Sequence, residues 1–304
     1  MYNSFLKGTV LLALKKVGEI MTDSMEQVED IIRECTKLGY ALKQVACLNQ
    51  RSLFNVQEVN AYGERSLMID LILEELCVNF FKGIPSIRNI ISEESGYLDF
   101  NRGRFTVILD PLDGTKNFTM GLSYYACSIA ILDENGHVRG SYVINLANGH
   151  EYTAIKGVGA FRNGQPIHTM KHQHLNQCDG IFVGLAKTER ELQAMKRVIL
   201  QLKSYRAMGC AALDLCCVAI GAASVFVDIS FTAKLVDVLA SSLILEEAGG
   251  RVTTENGISI TQLTAQGNIR RITLQQKFCT FGAANAALQE VLMDTSRLQR
   301  PIQQ

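Results

Sequence analysis

The sequence predicts a mixed α+β or α/β protein, and three features of the 304-residue chain indicate this class. Helical periodicity dominates the start, with apolar residues three or four positions apart between Val28 and Leu42 and again between Ile69 and Phe80. From Ile84 to about residue 170, short apolar strands follow one another. Beyond that point strands alternate with helices. The length favours two domains or one large one.

The predicted elements follow in chain order. After the turn-like segment 60–63, a second helix runs to Lys82-Gly83, and Asn163-Gly164 predicts a tight hairpin turn. A polar segment at 170–178 suggests a boundary between a domain 1–175 and a domain 176–304. The remaining strands are predicted at Ile87–Ile91, Phe105–Leu109, Tyr125–Leu132, His137–Ile144, Glu151–Ile155, Gly180–Gly184, Ser224–Ile229 and Phe278–Gly282, and the remaining helices at Glu189–Lys203, Ala211–Gly221, Asp237–Ala248 and Ala284–Met293.

Composition and charge exclude several classes of protein. The chain has 30 basic and 30 acidic residues and is 47% hydrophobic, which excludes a disordered chain. It has no basic stripe of the kind that nucleic-acid binders carry. No apolar run reaches the roughly 18 residues of a membrane helix, and Thr9–Leu14 does not resemble a signal peptide. Nine cysteines without a CxxC pair predict free thiols in a cytoplasmic protein.

The segment Asp110-Pro-Leu-Asp-Gly-Thr115 places two carboxylates at the end of an apolar strand. Pro111 cannot extend a central strand, so we expect the chain to turn there and bring Asp113 back towards Asp110. Two such carboxylates can share a hard cation such as Mg²⁺, and free N–H groups at Gly114 and Thr115 can bind phosphate. The same residues are also ordinary turn formers, so both interpretations stay open at this motif.

Two further acidic sites lie at the ends of predicted elements. Glu93-Glu94 follows the strand Ile87–Ile91, where adjacent carboxylates repel each other unless a cation lies nearby. Asp237 precedes an apolar helix, whose dipole would hold the carboxylate ionised, as a metal ligand requires. Taken singly, a solvated strand end and a helix N-cap are the more ordinary interpretations of these residues.

Together these motifs resemble the inositol monophosphatase family. Residues 110–118 match the family pattern Asp-Pro-(Ile/Leu)-Asp-Gly-Thr-x-Asn-Phe in full, and Asp237 with Glu247–Gly250 matches much of the second signature. The resemblance runs from about residue 25 to the end. It implies a layered α-β-α-β-α sandwich of the sugar phosphatase type. It also implies a Mg²⁺-dependent, lithium-sensitive, homodimeric phosphomonoesterase that acts on a small sugar or inositol phosphate, by direct attack of water without a phosphoenzyme.

The resemblance further implies a role for each motif residue. Two or three Mg²⁺ ions would be bound by Glu93, Asp110, the Leu112 carbonyl, Asp113 and Asp237. Water activation would fall to Thr115 and Asp70, although an Asp in the first part of a helix is also favoured simply by the helix dipole. The residues implied to bind the phosphate or the rest of the substrate are Gly114, Thr115, Gly209 and Ala211.

Departures from the family pattern leave the substrate open. Val236 stands where the family has Trp before the second-signature Asp. Ser230 stands seven residues before Asp237, where inositol phosphatases place an acidic residue that helps to hold the inositol ring. The form Val236-Asp237-x-x-Ala240-Ser241, with Phe226-Val-Asp228 nearby, is similar to archaeal-type members that also hydrolyse fructose 1,6-bisphosphate. Inositol 1-phosphate, fructose 1,6-bisphosphate, a nucleotide 3′-phosphate and NADP⁺ are therefore all candidate substrates.

Two other classes of protein are weaker hypotheses. A non-catalytic family member that binds a protein or nucleotide would have lost a metal ligand, and every ligand position of the pattern is retained here. A dinucleotide-binding dehydrogenase would need its glycine-rich motif to open a helix. Gly157-Val-Gly159 lies instead among predicted strands, so the sequence favours the phosphatase.

Overall fold

The computed structural model describes residues 25–48, 56–59, 65–183, 186–265 and 269–297. The predicted turn at 60–63 lies outside these ranges. A first helix, α1, spans 25–46. The further helices are α2 (Met68–Lys82), α3 (Thr115–Thr119), α4 (Glu189–Ile199), α5 (Ala211–Ala219), α6 (Leu235–Glu247), α7 (Ile260–Leu263), α8 (Ile269–Gln275) and α9 (Ala286–Ser296).

The described strands form three sheets. They are β1 (Val56–Val59), β2 (Arg65–Leu67), β3 (Ile87–Ser92), β4 (Gly96–Asp99), β5 (Phe105–Asp113), β6 (Ala126–Leu132), β7 (Val138–Asn145), β8 (Glu151–Ile155), β9 (Gly159–Arg162), β10 (Gln165–Pro166), β11 (Asp179–Val183), β12 (Ser204–Arg206), β13 (Val225–Ala233), β14 (Arg251–Thr254) and β15 (Phe278–Ala283). An eight-stranded sheet has the order β10-β9-β8-β7-β6-β5-β3-β4, a five-stranded sheet the order β12-β11-β13-β15-β14, and β1 pairs with β2.

The two large sheets and the helices stack as five layers. Along β6, Cys127, Ile129 and Ile131 pack in the same core as α1 and α2, whereas Ala130 and Leu132 pack in the core that contains α5 and α6. This alternation follows from the two-residue period of a strand that is buried on both faces. Helices α5 and α6 contact both sheets, and α4 and α9 contact the five-stranded one. The predicted α-β-α-β-α sandwich is confirmed.

The strand that carries Asp110 does not turn at Pro111, so that prediction is wrong. Strand β5 continues to Asp113. Its pairing with β3 ends at Leu109, and its register with β6 shifts between Asp110 and Asp113. Pro111 therefore lies at an irregularity of the ladder, where its missing N–H costs no regular hydrogen bond.

Helix α6 begins two residues earlier than the sequence predicts. Lys234 is its N-cap, so Asp237 is the third residue of the helix and not its cap. The carboxylate of Asp237 reaches back to accept the backbone N–H of Lys234 at 3.2 Å. The apolar residues Leu235 and Val236 are buried and already belong to the helix, so the apolar run and the helix begin together.

The other boundaries differ from the predictions by a few residues, and several short elements were not predicted. The hairpin turn at Asn163-Gly164 is confirmed, with φ of 49° and 75° between β9 and β10. Elements such as α3, β4, β12 and β14 are too short to show a period in the sequence. The two large sheets fall on either side of residue 175, and the division into domains 1–175 and 176–304 stays a prediction.

The helices and the cysteines can be compared with what the composition predicts. Among the residues that the structure describes, no helix combines the length and the apolarity needed to cross a membrane. All nine cysteines are free, and seven of them are buried. Most of the buried ones pack as small apolar residues of the core.

Candidate active site

Three carboxylates from separate parts of the chain converge beside the eight-stranded sheet. Glu93 follows β3, Asp110 lies in β5, and Asp237 lies in the first turn of α6. One carboxylate oxygen from each lies within 4.8 Å of the others. Because β3 and β5 are parallel neighbours, their carboxyl ends meet at the same edge of the sheet. Helix α6 packs against β5 and brings Asp237 to that edge.

The environment of these carboxylates suits a hard divalent cation. Asp110 is buried, and its Oδ1 accepts the N–H of Leu112 at 2.9 Å. The pKa values of Asp110 and Asp237 both lie well above the usual range of an aspartate. In each case burial is the main cause, and the negative charge of Glu93 is the next largest. Clustering like charges out of water is unfavourable unless a cation compensates them. A donor set of carboxylate oxygens fits Mg²⁺ better than a soft metal.

Asp113 lies next to this group but is not one of the three residues whose oxygens approach within 4.8 Å, and helix α5 holds one of its oxygens. Asp113 Oδ2 accepts the backbone N–H of Ala212 at 2.7 Å and the thiol of Cys210 at 3.1 Å. Burial raises the pKa of Asp113 to about 6, although these hydrogen bonds oppose the shift. The structure therefore brings Glu93, Asp110 and Asp237 together and places Asp113 between that cluster and α5.

Thr115 connects the predicted metal-binding segment to Asp70. Its hydroxyl donates to the carbonyl of Leu112 at 2.9 Å and lies 3.5 Å from Asp70 Oδ1. Asp70 is the third residue of α2, and its Oδ2 accepts the N–H of Leu67 at 2.8 Å. Burial raises the pKa of Asp70 to about 6, which is in the range of an effective general base near neutral pH. The predicted catalytic pair thus lies within hydrogen-bonding reach.

The N-termini of α3 and α5 lie side by side next to these residues. Gly114 caps α3 with a φ of 86°, and Gly209, with a φ of 82°, comes directly before Cys210, the N-cap of α5, of which Ala211 is the first residue. The Asn117 side chain donates to the carbonyls of Tyr124 and Met208, both at 2.8 Å. These bonds tie α3 to the segment that leads into α5. Exposed N–H groups at helix starts bind anions, so this is suitable backbone for a phosphate.

Gly114 offers a stability test of this arrangement. A Cβ at Gly114 would lie 3.1 Å from the Tyr124 carbonyl oxygen and 3.2 Å from Cys210 Cβ, at a φ that favours glycine. We expect Gly114→Ala to lower the free energy of unfolding by about 2–3 kcal/mol. Gly157→Ala is the matched control, because Gly157 has a similar φ of 81° and no atom within 4 Å of the added carbon. It should lose about 1 kcal/mol. Urea unfolding followed by circular dichroism measures both, and equal losses would contradict the proposed crowding.

Two contacts of the site have no clear signal in the sequence. The Lys234 ammonium donates to Glu93 Oε1 at 2.7 Å, and the Cys210 thiol contacts Asp113. A lysine is usually exposed and a buried cysteine usually only fills space, so neither residue type indicates such a contact. Glu94, the neighbour of Glu93, instead accepts the hydroxyl of Ser66. Only one of the two adjacent glutamates therefore joins the cluster.

The chain thus forms a layered α/β sandwich with a group of carboxylates at a sheet edge that could hold a metal ion. The chain belongs to the inositol monophosphatase family, whose model matches residues 15–296. The family is generally metal-dependent. Membership confirms the predicted resemblance, and with it the class of activity, that of a phosphoric monoester hydrolase.

Individual relatives agree with this assignment. The chain is 32% identical over 251 residues to a fructose-1,6-bisphosphatase/inositol-1-monophosphatase of Methanothermobacter thermautotrophicus, a match that covers 78% of this chain and 85% of that protein. It is 31% identical to a bifunctional NADP phosphatase/NAD kinase of Methanococcus maripaludis, covering 66% of this chain and 39% of that protein. The crystal structure of the extragenic suppressor protein suhB of Bartonella henselae matches with a TM-score of 0.75 at 23% identity, covering 89% of this chain and 100% of that one. This last likeness concerns the fold.

Proposed function

We propose that the protein is a Mg²⁺-dependent phosphomonoesterase that hydrolyses a small sugar or inositol phosphate. The observation that carries the proposal is the approach of Glu93, Asp110 and Asp237 to within 4.8 Å of one another, with Thr115 and Asp70 close by. Glu93, Asp110, the Leu112 carbonyl, Asp113 and Asp237 would hold the metal. When bound there, Mg²⁺ would offset the phosphate charge and lower the pKa of a water molecule.

The residues of the chain supply the positioning and the proton transfer. Thr115, which donates to the Leu112 carbonyl before the reaction, orients the attacking water. As that water attacks, it gives a proton to the Thr115 oxygen, and the Thr115 hydroxyl turns from Leu112 to release its own proton to Asp70 Oδ1, which lies 3.5 Å away. The N–H groups at Gly114, Thr115 and Ala211 hold the phosphate oxygens while the ester bond breaks on the side opposite the water. Gly209 has no side chain, so the backbone at this position can lie close to the phosphate. Hydrolysis is direct and forms no phosphoenzyme.

Fructose 1,6-bisphosphate is the second candidate substrate. Ser230 has no carboxylate to hold an inositol ring as the acidic residue of the family does, and its hydroxyl donates to Asp228 Oδ1 at 2.6 Å within β13. This weakens the case for inositol phosphate alone. The name of the Methanothermobacter relative includes both activities. That of the Methanococcus relative adds NADP⁺ as a third possibility.

A panel of phosphomonoesters tests the proposal. Inositol 1-phosphate, fructose 1,6-bisphosphate, a nucleotide 3′-phosphate and NADP⁺ are each incubated with the protein and Mg²⁺, and released phosphate is measured. We expect release from at least one compound, loss of release with EDTA, and inhibition by Li⁺. A protein that binds Mg²⁺ but releases phosphate from none of them would contradict a phosphatase function and favour a non-catalytic member.

We also infer a homodimer and a cytoplasmic location. Support for the dimer comes from the family resemblance, and a mass in solution of twice 33.6 kDa by light scattering would agree with it. Support for the location comes from the nine free cysteines, which suit a reducing compartment. A monomer at all concentrations would contradict the first inference.

Stability should depend on pH and Mg²⁺ together. Burial raises the pKa of Asp70 and Asp113 to about 6 and that of Glu94 to about 7, above the values near 4 of an unfolded chain. The metal-free folded state therefore binds more protons than the unfolded one, and this stabilisation, complete below about pH 4, is lost as the pH rises through about 6–7. We expect Mg²⁺ to raise the melting temperature more at about pH 8 than at about pH 5.5. Differential scanning fluorimetry checks this, and an equal or larger gain at the lower pH would contradict it.

A further inference from the structure

The side chain of Lys234 lies against the carboxylate cluster. Its Nζ donates to Glu93 Oε1 at 2.7 Å, and only 8% of the Lys234 side chain and 17% of the Glu93 side chain are exposed. The backbone N–H of Lys234 donates to Asp237 Oδ2 at 3.2 Å. A single residue thus contacts two of the three carboxylates that lie within 4.8 Å of one another.

This ion pair differs from an ordinary surface pair of the same protein. The pair between Lys156 and Glu247, for example, joins groups at 3.2 Å, but 47% of the lysine side chain is exposed. An exposed ammonium can exchange its partner for water at little cost. The Lys234 ammonium has lost most of its water, so its pairing with Glu93 replaces hydration that it cannot easily regain. It is a fixed positive charge beside a cluster of negative ones.

The position of Lys234 in the fold keeps it there. Lys234 is the N-cap of α6, and its backbone is anchored by Asp237 three residues later. If a divalent ion binds Glu93 Oε1, it competes with the ammonium for that oxygen. Because the backbone of Lys234 is held at the start of α6, the ammonium stays within one side-chain length of the ion, and two cations at such a distance repel each other.

We propose that Lys234 is a built-in cation of the site that competes with the divalent metal for Glu93. The inference rests on the proposed function, since it takes these carboxylates to be the metal site. Without metal, the ammonium offsets the repulsion among Glu93, Asp110 and Asp237 and holds Glu93 in place. With metal, it lowers the affinity of the site.

Calorimetric titration of MgCl₂ into the full chain tests the proposal. Lys234→Met keeps the length and apolar stem but removes the charge, and it should bind Mg²⁺ about tenfold more tightly or better, given the strength of repulsion between unit charges a few ångströms apart. Lys234→Gln is a second neutral variant that can still donate to Glu93, in case the methionine variant folds poorly. Lys234→Arg keeps the charge and should bind as the parent does. Lys156→Met is the matched control for loss of a lysine outside the site, with unchanged affinity expected.

A second readout does not depend on metal. Without Mg²⁺, Lys234→Met should melt at a lower temperature than the parent, because the carboxylates lose their compensating charge, whereas saturating Mg²⁺ should close the gap. Neutral variants that bind Mg²⁺ no more tightly than the parent would overturn the inference. If the parent still released phosphate with Mg²⁺, the proposed function would survive that result. A parent that neither binds Mg²⁺ nor hydrolyses any phosphate ester would overturn both.

Discussion

Asp110→Asn is expected to lower Mg²⁺-dependent phosphate release by at least about 100-fold, the loss that changes around metal ligands commonly cause. Asp110 is 2% exposed and lies in the group with Glu93 and Asp237. The asparagine has nearly the same shape, and its amide oxygen can still accept the Leu112 N–H that Asp110 accepts at 2.9 Å. The substitution therefore removes one negative charge from the cluster and leaves the local structure in place.

Asp294→Asn is the matched control for the loss of a carboxylate outside the cluster. Asp294 is an exposed carboxylate on α9, away from the cluster, and its loss should leave the rate within about twofold, since surface changes of this kind have little effect. Initial rates at several Mg²⁺ concentrations separate weaker metal binding from a slower chemical step. An Asp110→Asn protein with the parent rate and the parent's Mg²⁺ requirement would show that this carboxylate is not a metal ligand.

Thr115→Ala is expected to reduce kcat by about 10²–10⁴-fold, the contribution of a positioned group that transfers a proton. The Thr115 hydroxyl donates to the Leu112 carbonyl at 2.9 Å and lies 3.5 Å from Asp70 Oδ1. Alanine removes both contacts and leaves the attacking water without its orienting group. Thr115→Ser keeps the hydroxyl and should retain a rate within about tenfold of the parent.

Asp70→Asn tests the other member of the pair. An amide cannot accept the proton, so the kcat of Asp70→Asn should fall about as far as that of Thr115→Ala. The kcat of the double variant should fall little further than that of either single variant, because the two residues are proposed to act as a unit. Burial raises the pKa of Asp70 to about 6, so the activity of the parent should depend on pH in that range. The activity of Asp70→Asn should not show this dependence. Fully additive losses in the double variant would contradict a shared role.

Local patterns in the sequence were sufficient for much of the fold. Apolar periodicity predicted α2 and most strands of both large sheets, and Asn163-Gly164 predicted its hairpin, because these features depend on neighbouring residues. The errors also have local causes. Pro111 normally interrupts a strand, but a register shift against β6 accommodates it in β5. Asp237 is a typical N-cap residue, yet the helix follows the apolar run and begins at Leu235.

The sequence by itself determined the family, the order of the elements and which carboxylates are candidates for the metal site, since these are properties of motifs a few residues long. Only the tertiary structure decided how those carboxylates meet. It brought Glu93, Asp110 and Asp237 within 4.8 Å of one another and turned an oxygen of Asp113 towards α5. It also placed Lys234 on Glu93, 141 residues away in the chain. Contacts between distant segments depend on how sheets and helices pack, and no local pattern records that packing.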